Sequence, residues 1–127
     1  MLIFDLPWPP SVNRYWRHIS RGALAGRVLI SKHGREYRRT IVTEIAHLRL
    51  PPLTGRLAVH VDAYPPDKRI RDLDNIVKAL FDVLTHAGVI NDDGNIDHFS
   101  VTRRNTTAGG LVRVQINTVD EAYAAIA

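Results

Sequence analysis

The sequence predicts a single α+β domain, a mostly antiparallel or mixed β-sheet with two α-helices packed on one face. Three observations carry that expectation. Residues 57–64 and 111–118 alternate apolar and polar side chains at the two-residue period of a half-buried strand. Residues 32–48 and 73–86 instead repeat apolar residues at helical spacing. A chain of 127 residues, 45% hydrophobic and 24% charged, fits one core and is too apolar for disorder.

Taken in order, Leu2–Leu6 opens as a short strand that Pro7, Pro9 and Pro10 stop. Trp8 to Arg17 reads as a loop with three aromatics and two arginines, and Gly22 and Gly26 bracket a further turn. Arg27–Ile30 is a second short strand. Ser31 suits the N-cap of a first helix from Lys32 to about Leu48, with Tyr37, Ile41, Ile45 and Leu48 on its buried stripe. Gly34 is unfavourable inside that helix, and Pro51-Pro52 is expected to end it. Leu57–Tyr64 follows as a strand. Leu73–His86 carries the strongest helical pattern, through Leu73, Ile76, Val77, Leu80, Phe81 and Leu84, and Gly88 suits the position just past its end. Asn91–Asn95 is a turn. Ile96–Arg104 and Leu111–Thr118 are strands joined by Asn105–Gly110. The last residues predict little.

The chain has no cysteine, which excludes a disulfide scaffold and a thiolate zinc site. No apolar run approaches the roughly 18 residues of a membrane span, and the N-terminus lacks the pattern of a signal peptide, so the expected compartment is the cytoplasm. Histidines show no zinc-like spacing, and neither a serine nucleophile elbow nor a Gly-rich phosphate loop is present.

The net charge of +4 is unevenly divided. Residues 1–50 carry nine Lys/Arg against three Asp/Glu, whereas residues 51–100 carry five against eight. A basic surface suits a polyanionic partner, and acids gathered in one stretch of a basic chain suit a local task needing negative charge. Asp72 and Asp74 are two residues apart, so in extended backbone they face the same side; inside a helix the same spacing separates them by about 200°. Their convergence therefore requires the chain to be extended as it enters the helix. A hard divalent cation between the two would relieve their repulsion, and magnesium takes one or two carboxylates with water and phosphate. The pattern equally suits ordinary acids at a helix start, with Asp74 and Lys78 as an i, i+4 pair. Asp92 and Asp93 follow in a turn, about 20 Å along the helix from Asp74, and only a backtracking loop could unite them. Arg14, Arg17, Lys68, Arg69 and Arg71 flank the aromatic loop or the acids and could meet phosphates. Trp8, Tyr15 and Trp16 could stack on unpaired bases or pin the loop to the core.

In its order of motifs, Leu6-Pro-Trp-Pro-Pro-Ser-x-Asn-Arg-Tyr15, then Arg71-Asp72-Leu73-Asp74-Asn75 with Lys78, then Asp82-x-Leu84-Thr85-x-Ala87-Gly88 and Asp92-Asp93, the chain resembles the RusA family of Holliday junction resolvases. The likeness runs from about residue 3 to about residue 118. It implies a small homodimeric, magnesium-dependent endonuclease, often carried by phages and prophages, that cuts four-way DNA junctions. Asp72, Asp74 and Asp93 would be the metal-binding carboxylates and Lys78 the essential lysine. Manganese would be a substitute metal, with no organic cofactor and no membrane. The DNA contacts would come from Asn13, Arg14, Tyr15, Arg17, Lys68, Arg69 and Arg71. The basic run Lys68-Arg69-Ile70-Arg71 is broken at Ile70, a departure from the family that leaves the charge of the run but no matching DNA contact at Ile70. The expected function is resolution of junctions by paired symmetric nicks leaving 5′-phosphate and 3′-hydroxyl, in recombination and repair. Alternatives are a branched-DNA-binding module without catalysis and a metal-dependent nucleotide phosphohydrolase.

Overall fold

The computed structural model describes residues 1–51 and 53–120. Four strands form the main sheet: β1 (Leu2–Pro7), β4 (Leu57–Tyr64), β5 (Ile96–Arg103) and β6 (Leu111–Thr118), in the order β1-β6-β4-β5. β1 with β6 and β6 with β4 are antiparallel, while β4 and β5 are parallel. A parallel pair needs a crossover, supplied by α3 (Asp74–His86). Adjacent in sequence, β5 and β6 are therefore not paired; β4 lies between them. The sheet is mixed, as expected. Among the described residues no helix is long and apolar enough to cross a membrane.

One face of the sheet is apolar. Leu2, Phe4 and Leu6 of β1, Leu57, Val59, Val61 and Ala63 of β4, and Val112, Val114 and Ile116 of β6 are buried against α2 (Lys32–Leu48) and α3 in one core. The alternation that predicts these strands is this separation of faces. The opposite face carries charge, as in the pair Arg113–Asp5 (2.8 Å) and the pair Arg104–Asp62 (2.7 Å).

The caps follow the sequence in part. The Ser31 hydroxyl accepts from the Gly34 N–H at 3.0 Å, satisfying an orphan donor of α2. The helix closes on Arg49, in the left-handed region at φ 49°, ahead of Pro51. Pro52 and the residues from 121 onward lie outside the described residues. The expected loop at 8–17 instead contains a four-residue helix, α1 (Val12–Tyr15), and a strand, β2 (Trp16–His18), paired with β3 (Val28–Ile30).

Gly34, an apparent flaw in α2, has a packing reason. A Cβ there would stand 2.5 Å from the Tyr15 carbonyl oxygen and 2.8 Å from a methyl of Ile30. The missing side chain lets α2 approach the end of α1, which fixes where Tyr15 and Trp16 lie. Tyr15 is fully buried; its hydroxyl donates to Asp82 of α3, and Arg38 of α2 donates to the same carboxylate at 2.7 and 2.9 Å. Three helices meet on one acid.

Two predictions follow from this packing. Gly34→Ala should destabilise the protein by about 1–3 kcal/mol, despite the better helix propensity of alanine, read as a lower urea midpoint at unchanged slope. Burial holds the Tyr15 hydroxyl, with help from its bond to Asp82, and the Tyr37 hydroxyl well above the ordinary tyrosine value. The unfolded chain releases these protons from about pH 10 while the folded chain keeps them. Stability is thus complete below that pH and falls as pH rises beyond it. Urea midpoints should drop above about pH 10, and drop less in Tyr15→Phe and Tyr37→Phe.

Candidate active site

The parallel pairing brings the C-terminal ends of β4 and β5 and the N-terminus of α3 to the same end of the sheet. Two clefts open there, on either side of Leu73. Leu73 itself is already helical (φ −63°, ψ −32°), so the extended entry that would align Asp72 with Asp74 is not adopted. Asp72 lines one cleft and Asp74 the other. Among the described residues no side chain caps the N-terminus of α3, and in its first turn the Asn75 N–H donates to the Asp72 carbonyl at 3.2 Å; the positive end of the helix dipole faces this end of the sheet.

The second cleft, of about 560 Å³, unites Asp74, Lys78 and Asp93 over an apolar floor of Val77, Phe81, Phe99 and Val101. Asp93 reaches it by the backtracking the sequence left open. Gly88, at φ 78°, turns the chain at the end of α3, and the Val89 N–H donates back to the Leu84 carbonyl at 3.0 Å. Val89 and Ile90 are then buried, so the following residues run back beside the helix. A 3₁₀ turn at Asp93–Asn95, capped by the Asp92 carboxylate on the Gly94 N–H (2.9 Å), presents Asp93. The Asp93 carboxyl is raised from its ordinary value, first by its hydrogen bond with Asp92, then by desolvation and the neighbouring charge. Asp92 is lowered, chiefly by the Gly94 N–H.

Lys78 lies over the Trp16 ring, 5.4 Å from its centroid. The ring meets Tyr15 edge-on at 5.0 Å, and among the described residues its buried indole N–H has no partner. Packing, rather than a hydrogen bond, holds this platform, and the negative face of the ring favours the ammonium. Phe81 and Phe99 meet edge to face at 5.4 Å and brace the floor.

The first cleft is cationic. Asp72 lies there with Trp8, Lys68, Arg69, Arg71, Arg103 and Arg104. Arg71 stands 5.9 Å over the Trp8 ring and is paired with Asp67 at 2.7 Å. Arg14 lies with Trp8, Arg69 and Asp72 along the continuation of this cleft. Arg103 and Arg104 are absent from the residues singled out in the sequence; only the parallel pairing, which sets Arg103 opposite Ala63, carries them here. Asn13 and Arg17 are exposed on α1 and β2 and line neither cleft. Tyr15, expected to contact DNA, has no exposed surface and serves the core instead.

Among the described residues no three acidic or histidine side chains are grouped as a ready metal site. The donors that share a cleft are two carboxylates, Asp74 and Asp93, while Asp72 stands across Leu73. Two hard oxygen donors at an open cleft fit magnesium, which takes one or two protein carboxylates and keeps several waters.

The Lys78 platform can be tested directly. Of the three lysines in the chain, Lys78 alone is expected to give a ring-shifted signal after reductive ¹³C-methylation. Trp16→Ala should return that NMR signal to the position of an exposed lysine.

The family model for Endodeoxyribonuclease RusA matches residues 7–117. A crossover junction endodeoxyribonuclease of Enterobacteria phage HK97 is 42% identical over 118 residues, covering 92% of this chain and 94% of its own. Proteins of the same name from Escherichia coli strain K12 and Enterobacteria phage 82 are 38% and 39% identical over 112 residues, each covering 87% of this chain and 89% of the relative. With its motifs spread over both clefts and the match spanning nearly the whole chain, the protein belongs to the RusA endodeoxyribonuclease family.

Proposed function

We propose that this protein is a magnesium-dependent, structure-selective endonuclease that resolves four-way DNA junctions. The observation that carries the reading is the meeting of Asp74, Asp93 and Lys78 in one cleft, at an uncapped helix N-terminus, beside a second cleft lined with arginines. A nucleotide hydrolase would need no such extended cationic surface, and a pure binding module would need no paired carboxylates with a lysine.

Asp74 and Asp93 would hold the cation, with Asp72 joining from across Leu73 when DNA is engaged. When bound, magnesium supplies a Lewis acid for the scissile phosphate and lowers the pKa of an attacking water. Lys78, fixed over Trp16, offsets negative charge that develops on the phosphoryl oxygens. The positive end of the α3 dipole favours a phosphate oxygen in the same sense. Arg14, Lys68, Arg69 and Arg71 hold flanking phosphates, with Arg103 and Arg104 added by the fold. In-line displacement of the 3′ oxygen leaves a 5′-phosphate and a 3′-hydroxyl, which a ligase can seal. A four-way junction has near two-fold symmetry, so a homodimer would set one such site on each of two opposed strands. That activity serves recombination and repair, and the phage relatives suit a prophage setting.

The decisive experiment is cleavage of a synthetic four-way junction beside linear duplex of the same sequence, in magnesium, manganese or EDTA. Paired nicks confined to the junction and abolished by EDTA are expected. Asp72→Asn, Asp74→Asn and Asp93→Asn should each lower cutting at least about 100-fold with junction binding retained. Undiminished cutting by Asp72→Asn would remove that residue from the metal set. Tight binding without cutting in any metal would favour the binding module.

A further inference from the structure

Ile70 is completely exposed, at 100% of its surface, on the segment that joins β4 to α3. An isolated exposed aliphatic residue is common on protein surfaces; the construction around this one is specific. The Asp67 carboxylate accepts from the Arg69 N–H at 3.0 Å. The Arg71 guanidinium donates to the carbonyls of Asp67 (3.2 Å) and Arg69 (3.3 Å), and Arg103 donates to the Arg71 carbonyl. These ties grip the chain on both sides of Ile70 and hold it as an arch. The β-branched side chain has few rotamers, so the arch presents a stiff apolar tip. Partly buried Trp8 and Leu73 and buried Ile76 line the cleft that Ile70 also borders, yet Ile70 stays fully exposed at its rim.

The tip lies between cations, Lys68 and Arg69 before it and Arg71 after it; Arg69 keeps 82% of its side chain exposed while it pairs with Asp67 at 3.3 Å. A protein or lipid partner would call for a broader apolar patch than one residue. Cations on either side of a single apolar point match a polyanion whose interior is apolar, namely a nucleic acid entered between two bases. Aliphatic wedges, isoleucine among them, enter base steps in this way and partly unstack them. Unstacking is cheapest where stacking is already interrupted, as at the branch point of a junction.

We propose that Ile70 is a wedge that enters the base stack at the branch point and contributes to selection of branched over linear DNA. The inference rests on the junction-resolving function proposed above. It also gives the interruption of the basic run a purpose: the phosphate contacts remain with Lys68, Arg69 and Arg71, and the residue among them reads shape.

The test uses the full chain in EDTA, with a four-way junction carrying 2-aminopurine either beside the branch point or within an arm. Wild type and Ile70→Leu should raise fluorescence several-fold at the branch and leave the arm unchanged. Ile70→Ala should lose most of that rise and about tenfold of its preference for junction over duplex, with duplex affinity and melting temperature unaltered. An equal rise with Ile70→Ala, or no rise with wild type bound to the junction, would overturn the wedge while leaving the resolvase reading intact. Failure of wild type to bind or cut any junction would overturn both.

Discussion

The geometry of the candidate active site depends on one carboxylate that lies outside both clefts. Asp82 receives the Tyr15 hydroxyl from α1 and the Arg38 guanidinium from α2, and so locks two helices to the third. These bonds are only partly buried. Charge-assisted contacts of this kind are each worth about 1.5–3 kcal/mol, but their greater effect is positional. With Tyr15 fixed, Trp16 has one place to go, under Lys78. Removing the carboxylate would leave a partly buried guanidinium without its anion and free the aromatic segment from α3.

The second constraint is the parallel alignment of β4 and β5. α3 carries the chain back toward the start of β5, and the segment after Gly88 turns back beside the helix before that strand begins. Burial of Val89 and Ile90 drives that return, and Asp93 comes to Lys78 as a result. The same alignment puts the ends of β4 and β5 together, and with them Arg103, Arg104 and the arch that carries Ile70. Acidic and cationic clefts thus arise from one crossover, with Leu73 as the partition between them.

What the sequence reveals depends on the range of the forces involved. The bounds of α2 and the spans 57–64 and 111–118 are legible because burial on one face imposes a period that each segment carries by itself. The Ser31 cap is legible for the same reason, since its partner is three residues away. The sequence leaves Tyr15 open between base contact and core because its partners Arg38 and Asp82 are 23 and 67 residues distant, and proline and aromatic neighbours disguise α1 and β2 as loop. Strand direction is illegible too: nothing within 96–103 says that its neighbour is β4 rather than β6. Asp72, Asp74, Lys78 and Asp93 emerge as a set through resemblance, whereas the residues alone left Asp93 about a helix length from Asp74. The fold closes that gap for Asp93 and opens another by starting the helix at Leu73.

The sheet order leaves β1 and β5 as outer strands, each with one row of backbone groups turned away from the sheet. Such rims are templates on which further strands can grow. Here one rim is six residues long and runs into Pro7, Pro9 and Pro10, whose rings cannot donate to a ladder. The other places Asp97, His98 and Arg103 along its length, and Asp97 is engaged by Arg56. Any added strand would have to strip water from these groups before pairing. The prolines after β1 and the arginine that lines the cleft therefore also discourage open-ended polymerisation of the sheet.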